Sequence, residues 1–223
     1  FEAQATRDCV VEASGELRTI AISLSKIAND IRWLGSGPRC GLGELVLPAT
    51  QPGSSIMPGK VNPVICESVM QVTCQVMGHD LAISTGGLGG TGSLLQLNVA
   101  MPMMAWAMID SIRLLANAAS ILQDKCIDGL ELDRTVAEGY VERSLMMGTS
   151  LAPVIGYENA ARLAKQAHAG GLTIREMALE LELLEPEMLA THLDPASMTE
   201  PDSGGSGKSG KTRGATGRKG GGR

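Results

Sequence analysis

Residues 17–34, LRTIAISLSKIANDIRWL, decide the fold of this chain. Leucine and isoleucine recur there at intervals of three or four residues, at Leu17, Ile20, Leu24, Ile27, Ile31 and Leu34. This spacing places the six side chains along one face of an α-helix for more than two heptads, as in helices that pack side by side. We predict one long helix over about residues 4–34, ended by the sequence Gly35-Ser36-Gly37-Pro38.

The same periodicity continues towards the C-terminus. Apolar residues between Ile65 and Val76 step by four, three and four, which predicts a second helix that starts at Asn62-Pro63 with Asn62 as its N-cap. A third long helix is expected to end near Leu122. Residues 35–62, between the first two helices, hold six glycines and four prolines and form a long irregular loop, a feature that is usually functional.

Composition agrees with helices, since aromatic residues make up only 2% of the 223 residues and apolar residues 43%. From Asp128 the predicted helices become short, and Thr173-x-x-Glu176 predicts a capping box at the start of one of them. We predict an all-α fold with three parts. These are a long-helix bundle over residues 1–128, a small helical domain over 129–198, and a disordered tail over 199–223 rich in Gly, Ser, Lys and Arg.

The charge is divided between the body and the tail. Residues 1–201 carry a net charge of −10, whereas residues 202–223 carry +5. An acidic body argues against a nucleic-acid partner. A non-catalytic alternative is an α-helical interaction fragment whose basic tail binds an acidic partner.

No run of 18 apolar residues occurs, so we expect no membrane span. The five cysteines are odd in number and form no C-x-x-C pair, which predicts small buried thiols in a reducing compartment. The low-aromatic, Ala-rich composition and the missing presequence favour a cytoplasmic location, with the mitochondrial matrix as the alternative. The three histidines lack metal-ligand spacing, so we expect no metal; His79 is placed near a helix end. The abrupt start at Phe1 suggests part of a longer chain.

One segment of the long loop is a candidate functional site: residues 53–63, GSSIMPGKVNP. It offers two hydroxyl groups, a cation, an amide and the N-terminus of the helix that follows. The N–H groups and dipole at a helix start favour an anion. The segment therefore predicts a binding site for a carboxylate or a phosphate, with a serine hydroxyl beside it.

The eleven residues resemble the G-S-S-x-M-P-x-K-x-N-P signature of the fumarase/aspartase lyase superfamily. The segments 26–39, 96–99 and 155–160 resemble the same family. Gly59, together with Lys165-Gln-Ala-His168 and Gly171-Leu-Thr-Ile174, is similar to the class II fumarase form. In contrast, Leu95-Gln96-Leu97-Asn98 and Cys126-Ile-Asp-Gly129 are closer to aspartases, so aspartate ammonia-lyase is the alternative.

The resemblance implies a lyase of the citric acid cycle that interconverts fumarate and L-malate by trans-elimination, without metal or organic cofactor. Ser54 is implied as the general base, and Glu67 as the carboxylate that pairs with a catalytic histidine. That histidine belongs to an N-terminal part of the family fold that this chain lacks. The residues implied to hold the dicarboxylate substrate are Ser55, Lys60, Val61 and Asn62. The family forms homotetramers whose central helices share one bundle and whose active sites draw on three subunits, so we expect the chain alone to be inactive.

Overall fold

The computed structural model describes residues 2–199, and within them the chain is almost entirely helical. The all-α prediction is confirmed. The predicted tail lies outside the described residues, apart from Thr199. The eight α-helices of the described residues are α1 Asp8–Leu34, α2 Val64–Gly87, α3 Met101–Lys125, α4 Arg134–Arg143, α5 Ala152–Ile155, α6 Tyr157–Gly170, α7 Ile174–Glu180 and α8 Pro186–His192.

Short 3₁₀ helices cover Glu2–Gln4, Ile127–Gly129, Leu145–Leu151 and Pro195–Met198. Residues 2–199 also form four strands of two residues each: β1 Leu45–Val46, β2 Ser93–Leu94, β3 Leu97–Asn98 and β4 Glu131–Leu132. β2 pairs with β3 and β1 pairs with β4, both antiparallel. The strands are too short to change the fold class.

Small side chains let α1 approach α2. Ala21 and Ala28 of α1 are fully buried, and the Thr73 hydroxyl of α2 donates a 3.0 Å hydrogen bond to the Ala21 carbonyl. Stacked apolar clusters then run along the three long helices, for example Val69 with Leu122. The inward face of α1 is therefore offset from the predicted seam, and Ile20 and Ile27 are 49% and 47% exposed within the chain.

A buried amide fixes the connection between α2 and α3. The Asn98 side chain donates to the carbonyls of Ala5 and Gly86 at 2.7 and 3.0 Å and accepts from the Ala100 N–H at 2.8 Å. Gly92 approaches the Gly86 carbonyl so closely that a Cβ atom would lie 2.0 Å from its oxygen. One polar side chain thus satisfies several backbone groups that the turn would otherwise bury unpaired.

The prediction for His79 was wrong. This histidine lies inside α2, is 5% exposed, and contacts the Ser111 hydroxyl through Nδ1 at 3.1 Å and the Gln75 amide through Nε2 at 2.8 Å. Trp106 packs edge-on against its ring. Helical spacing alone did not show that α3 covers this face of α2.

The strand pair β1–β4 ties the long loop to the segment after α3. The Asp133 N–H also donates to the Glu44 carbonyl at 2.9 Å. The chain divides into two compact units, the first ending at Glu138 and the second starting at Gly139. This division falls ten residues after the sequence-based boundary, because the segment after α3 pairs back onto the loop.

The second unit has a closed apolar core, whose members include Leu151, Leu163 and Ile174, all at 1% exposure or less. The predicted capping box of α7 is confirmed: the Thr173 hydroxyl accepts from the Glu176 N–H, and the Glu176 carboxylate accepts from the Thr173 N–H. These bonds hold the pKa of Glu176 below its ordinary value, first through the backbone N–H and then through the hydroxyl of Thr173.

By length and composition, one helix of the described part, Met101–Gly129, could cross a membrane, with a mean hydropathy of 1.2. One such helix is weak evidence, since the core helix of a soluble protein passes the same test. Met104, Ala107 and Leu115 on this helix are buried among the long helices. The sequence-based exclusion of any span was nevertheless too strong.

Candidate active site

The signature loop, residues 53–63, closes on itself through three residues. The Gly53 N–H donates to the Lys60 carbonyl at 2.7 Å, and the Asn62 side-chain amide donates to the Gly53 carbonyl at 3.2 Å. A Cβ atom at position 53 would lie 2.7 Å from the Asn62 nitrogen, so only glycine fits there. Gly59 turns the chain back with φ 78°.

Ser54 is half-buried at the base of this loop. Its hydroxyl oxygen accepts hydrogen bonds from the Ile56 and Met57 N–H groups, each at 3.1 Å. Two fixed donors on one oxygen stabilise negative charge there and lower the cost of removing the hydroxyl proton. The same geometry would also occur in an ordinary serine turn, so its chemical meaning depends on the groups around it.

Lys60, Val61 and Asn62 line one cavity of about 440 Å³, together with the Gly35–Pro38 turn and Asp133. The cavity is large enough for a small dicarboxylate. The side chain of Lys60 is exposed and makes no ion pair within residues 2–199. Of the predicted binding residues, the structure brings these three together, whereas Ser54, Ser55 and Glu67 do not line this cavity.

The prediction that Asn62 caps α2 was wrong. The helix begins at Val64 with Pro63 at the cap position and no side-chain cap. Asn62 lies one residue before the cap position, and its amide closes the loop onto Gly53 instead. An amide has two donor hydrogens and an acceptor oxygen, so this bond leaves Asn62 with donor capacity for a ligand.

Glu67 lies in the first turn of α2 and is partly buried. Within the part of the chain that the structure describes, its carboxylate has no ion-pair partner. His79 lies twelve residues further along the same helix, about 18 Å away at 1.5 Å per residue. His79 is therefore not placed to pair with Glu67.

Sequence reasoning missed two features at this end of the first unit. Asp133 lines the cavity with Lys60 and caps α4 by accepting from the Val136 N–H at 3.1 Å. Cys66 and Cys126 are both buried, with their sulfurs 3.9 Å apart. The expectation that the cysteines are buried holds for these two only, since Cys9, Cys40 and Cys74 are exposed.

Comparison with known proteins shows which proteins this chain resembles. Residues 1–78 match the family described as Lyase, and residues 148–200 match the family described as Fumarase C C-terminus. The chain is 52% identical over 201 residues to fumarate hydratase 1, mitochondrial, from Arabidopsis thaliana, covering 90% of this chain and 40% of that protein. Over 90% of its length the chain is thus similar to a fumarate hydratase.

Further relatives show the same similarity. Fumarate hydratase class II from Thermosynechococcus vestitus is 52% identical over 187 residues, covering 84% of this chain and 39% of that protein. The crystal structure of recombinant class II fumarase from Schistosoma mansoni superposes with a TM-score of 0.81 at 41% identity, covering 89% of this chain and 41% of that one. The chain thus spans about two fifths of the length of these fumarases.

Proposed function

We propose that this chain supplies one part of an enzyme that reversibly hydrates fumarate to L-malate in the citric acid cycle. The observation that carries this proposal is the Ser54 hydroxyl, which accepts two backbone N–H bonds at 3.1 Å inside the signature loop. The names of the relatives, fumarate hydratase, support the choice of reaction. The cavity beside Lys60 and Asn62 supports a dicarboxylate substrate.

In the proposed mechanism Ser54, as an alkoxide, removes a proton from the carbon beside a carboxylate of malate. The Ile56 and Met57 N–H groups stabilise the charged oxygen before the proton moves. The negative charge then spreads onto the substrate carboxylate. The C–O bond of the malate hydroxyl breaks, the departing hydroxide takes up one proton and leaves as water, and fumarate remains.

The substrate carboxylate would be held by the residues that follow Ser54 in the loop. Lys60 supplies the positive charge, and Asn62, Ser55 and the Val61 backbone supply hydrogen bonds. Because charge grows on the carboxylate as the proton leaves, these groups bind the carbanion more tightly than the substrate. No step in this scheme requires a metal or an organic cofactor.

Glu67 is proposed to orient a histidine that lies outside this chain. A carboxylate paired with an imidazole fixes its tautomer and raises its basicity. The lack of any ion-pair partner for Glu67 within residues 2–199 supports this role. The proposed site is therefore completed by other chain segments.

A chimera tests the function. The segment of the Thermosynechococcus vestitus enzyme that aligns with this chain would be replaced by the chain's own residues. We expect fumarate hydration, followed by ultraviolet absorbance, and we expect Ser54→Ala to lower kcat by about 1000-fold. Lys60→Ala should raise KM and lower kcat by roughly 100-fold, since its charge serves both substrate and carbanion.

Ile56→Ala is the matched control in the same loop. Its side chain is 85% exposed, and alanine keeps the N–H that donates to Ser54. Its turnover should stay within about twofold, since an exposed side chain contributes little. Near-normal kcat in Ser54→Ala would contradict the base assignment, and an assembled chimera without hydration would contradict the function.

Aspartate ammonia-lyase is the second candidate because residues 95–98, Leu-Gln-Leu-Asn, resemble the aspartase form. The same chimera separates the two reactions. Loss of fumarate only when ammonium is added would select aspartase. Loss in water alone selects hydration.

We propose a homotetramer in which the long helices of several copies pack together and share active sites. Exposed apolar side chains on all three long helices support this assembly, among them Ile20, Ile27, Leu81, Trp106 and Ile109. Apolar surface of this extent is typical of an interface. Sedimentation velocity of the chimera should give the mass of four subunits, and a monomer would contradict it.

We also propose a cytoplasmic location. The five cysteines are odd in number and form no C-x-x-C pair, as expected in a reducing compartment. Cell fractionation with an antibody to the chain tests this location, and recovery in an organelle or membrane fraction would contradict it.

A further inference from the structure

Two thiols meet where α2 begins and α3 ends. Cys66 is the third residue of α2, and Cys126 directly follows α3. Their side chains are 1% and 3% exposed, and their sulfurs are 3.9 Å apart. The length of a sulfur–sulfur bond is about 2.05 Å. The two sulfurs would therefore have to approach each other by about 2 Å to form a disulfide.

The pair is connected to the candidate active site. A small cavity of about 10 Å³, the room of one water-sized molecule, is lined by Cys66 and Cys126 together with Asn62 of the signature loop. Glu67 follows Cys66 in the chain. Cys66 and Cys126 therefore border the same small space as Asn62.

We propose that Cys66 and Cys126 are a redox modification site that closes reversibly to a disulfide under peroxide. One thiolate attacks the peroxide O–O bond, giving a sulfenic acid and hydroxide. The second thiolate attacks that sulfur and expels hydroxide. The two hydroxides take up the two thiol protons, so two thiols and one peroxide give one disulfide and two waters.

Cys66 acts as a nucleophile in either order of these steps. It attacks the peroxide when it reacts first, and it attacks the Cys126 sulfenic acid when it reacts second. Burial, and next the neighbouring Cys126, raise the pKa of the Cys66 thiol to about 12. The raised pKa leaves only a small thiolate fraction of Cys66 at neutral pH, so closure should be slow there and faster in base.

Closure alters the site as well as the sulfurs. The sulfurs must approach by about 2 Å from their separation of 3.9 Å, which moves the first turn of α2 relative to the end of α3. Asn62 and Glu67 lie within four residues of Cys66. A displacement of about 1 Å in a catalytic arrangement costs up to 100-fold in rate, so we expect the disulfide to lower turnover at least tenfold.

The first experiment uses the 223-residue chain itself. A variant with Cys9, Cys40 and Cys74 changed to serine keeps only the buried pair. Hydrogen peroxide should remove two hydrogen atoms from its mass and give a cross-linked peptide that contains Cys66 and Cys126. The rate should be higher at pH 9 than at pH 8, and dithiothreitol should restore the thiols.

The second experiment measures turnover in the chimera and rests on the proposed function. The variant with the three serines should lose activity under peroxide and regain it with dithiothreitol, whereas Cys126→Ser should keep its activity. Free thiols after peroxide, or a disulfide without loss of activity, would overturn the inference. A chimera that is inactive before oxidation contradicts the proposed function instead, and the peptide map still decides whether the disulfide forms.

Discussion

The two units of the chain bury their apolar side chains to different extents. The second unit encloses its core, in which Leu151, Leu163 and Leu193 are almost fully buried. The first unit leaves Ile20 and Ile27 of α1 half exposed although they belong to a regular heptad pattern. Heptad spacing thus identifies a packing surface but does not show whether the packing partner is in the same chain. In the first unit, part of this apolar surface is not covered by other residues of the unit.

The largest expected effect tests whether the first unit is catalytically incomplete. The 223-residue chain should hydrate fumarate at least about 1000-fold more slowly than the chimera, because members of one catalytic unit do not act independently. Glu67 has no ion-pair partner within residues 2–199. Measurable hydration by the purified chain, in the absence of any other fumarase, would show that the site is complete without further segments.

The next effect concerns the exposed face of α1. The chain should self-associate, and the double variant Ile20→Glu, Ile27→Glu should weaken association by at least about 100-fold, since burying two carboxylates in an apolar contact is costly. Sedimentation velocity measures this change. Leu179→Glu, at a comparably exposed position of the second unit, is the control. Equal effects from both variants would remove the contrast between the units.

A core truncation tests the second unit. Leu163→Ala should lower its unfolding free energy by about 2–5 kcal/mol, because leucine at 1% exposure leaves a cavity when shortened. Hydrogen exchange of amides beyond residue 139 should register the loss. The fluorescence transition of Trp33 and Trp106, which both lie in the first unit, should not move.

Tyr157→Ala is the control for that truncation. Tyr157 is 81% exposed, so its loss should change stability by less than about 0.5 kcal/mol. A shift of the tryptophan transition in Leu163→Ala, equal to that of the second unit, would show that the two units unfold as one. The difference between their cores would then not lead to separate unfolding transitions of the two units.

Periodicity and turn chemistry were sufficient to predict most of the fold. The long helices, the irregular loop and the Thr173–Glu176 capping box all depend on local signals, and the structure contains them. The errors lie where distant segments meet. α3 covers His79, and the residues after α3 pair with the loop at β1. The spacing of residues along the sequence does not indicate either contact.

In the candidate site, too, the sequence predicted the residues but not the contacts between them. The signature residues 53–63 could be named from the sequence, and so could the cavity-lining Lys60 and Asn62. The two N–H bonds to Ser54 could not, because they depend on backbone directions within the loop. Asn62 was expected at a helix cap, yet it closes the loop, since asparagine serves both purposes equally well.

The smallest expected effect is at the start of α7. Thr173→Ala should lower the stability of the second unit by about 1 kcal/mol, the usual value for a lost N-cap.

Glu176 adds a pH dependence to the stability of the second unit. Its carboxylate accepts a hydrogen bond from the Thr173 N–H, and its pKa in the folded chain lies below the ordinary value. Its contribution is therefore fully present above the unfolded pKa and is lost as pH falls through the depressed folded pKa. Urea unfolding followed by hydrogen exchange should show Glu176→Gln less stable than the unchanged chain at pH 7. That difference should vanish in acid below the folded pKa, whereas the control Glu180→Gln, in the same helix, should show no such change. A difference that persists unchanged in acid would mean that the charge of Glu176 does not stabilise the helix.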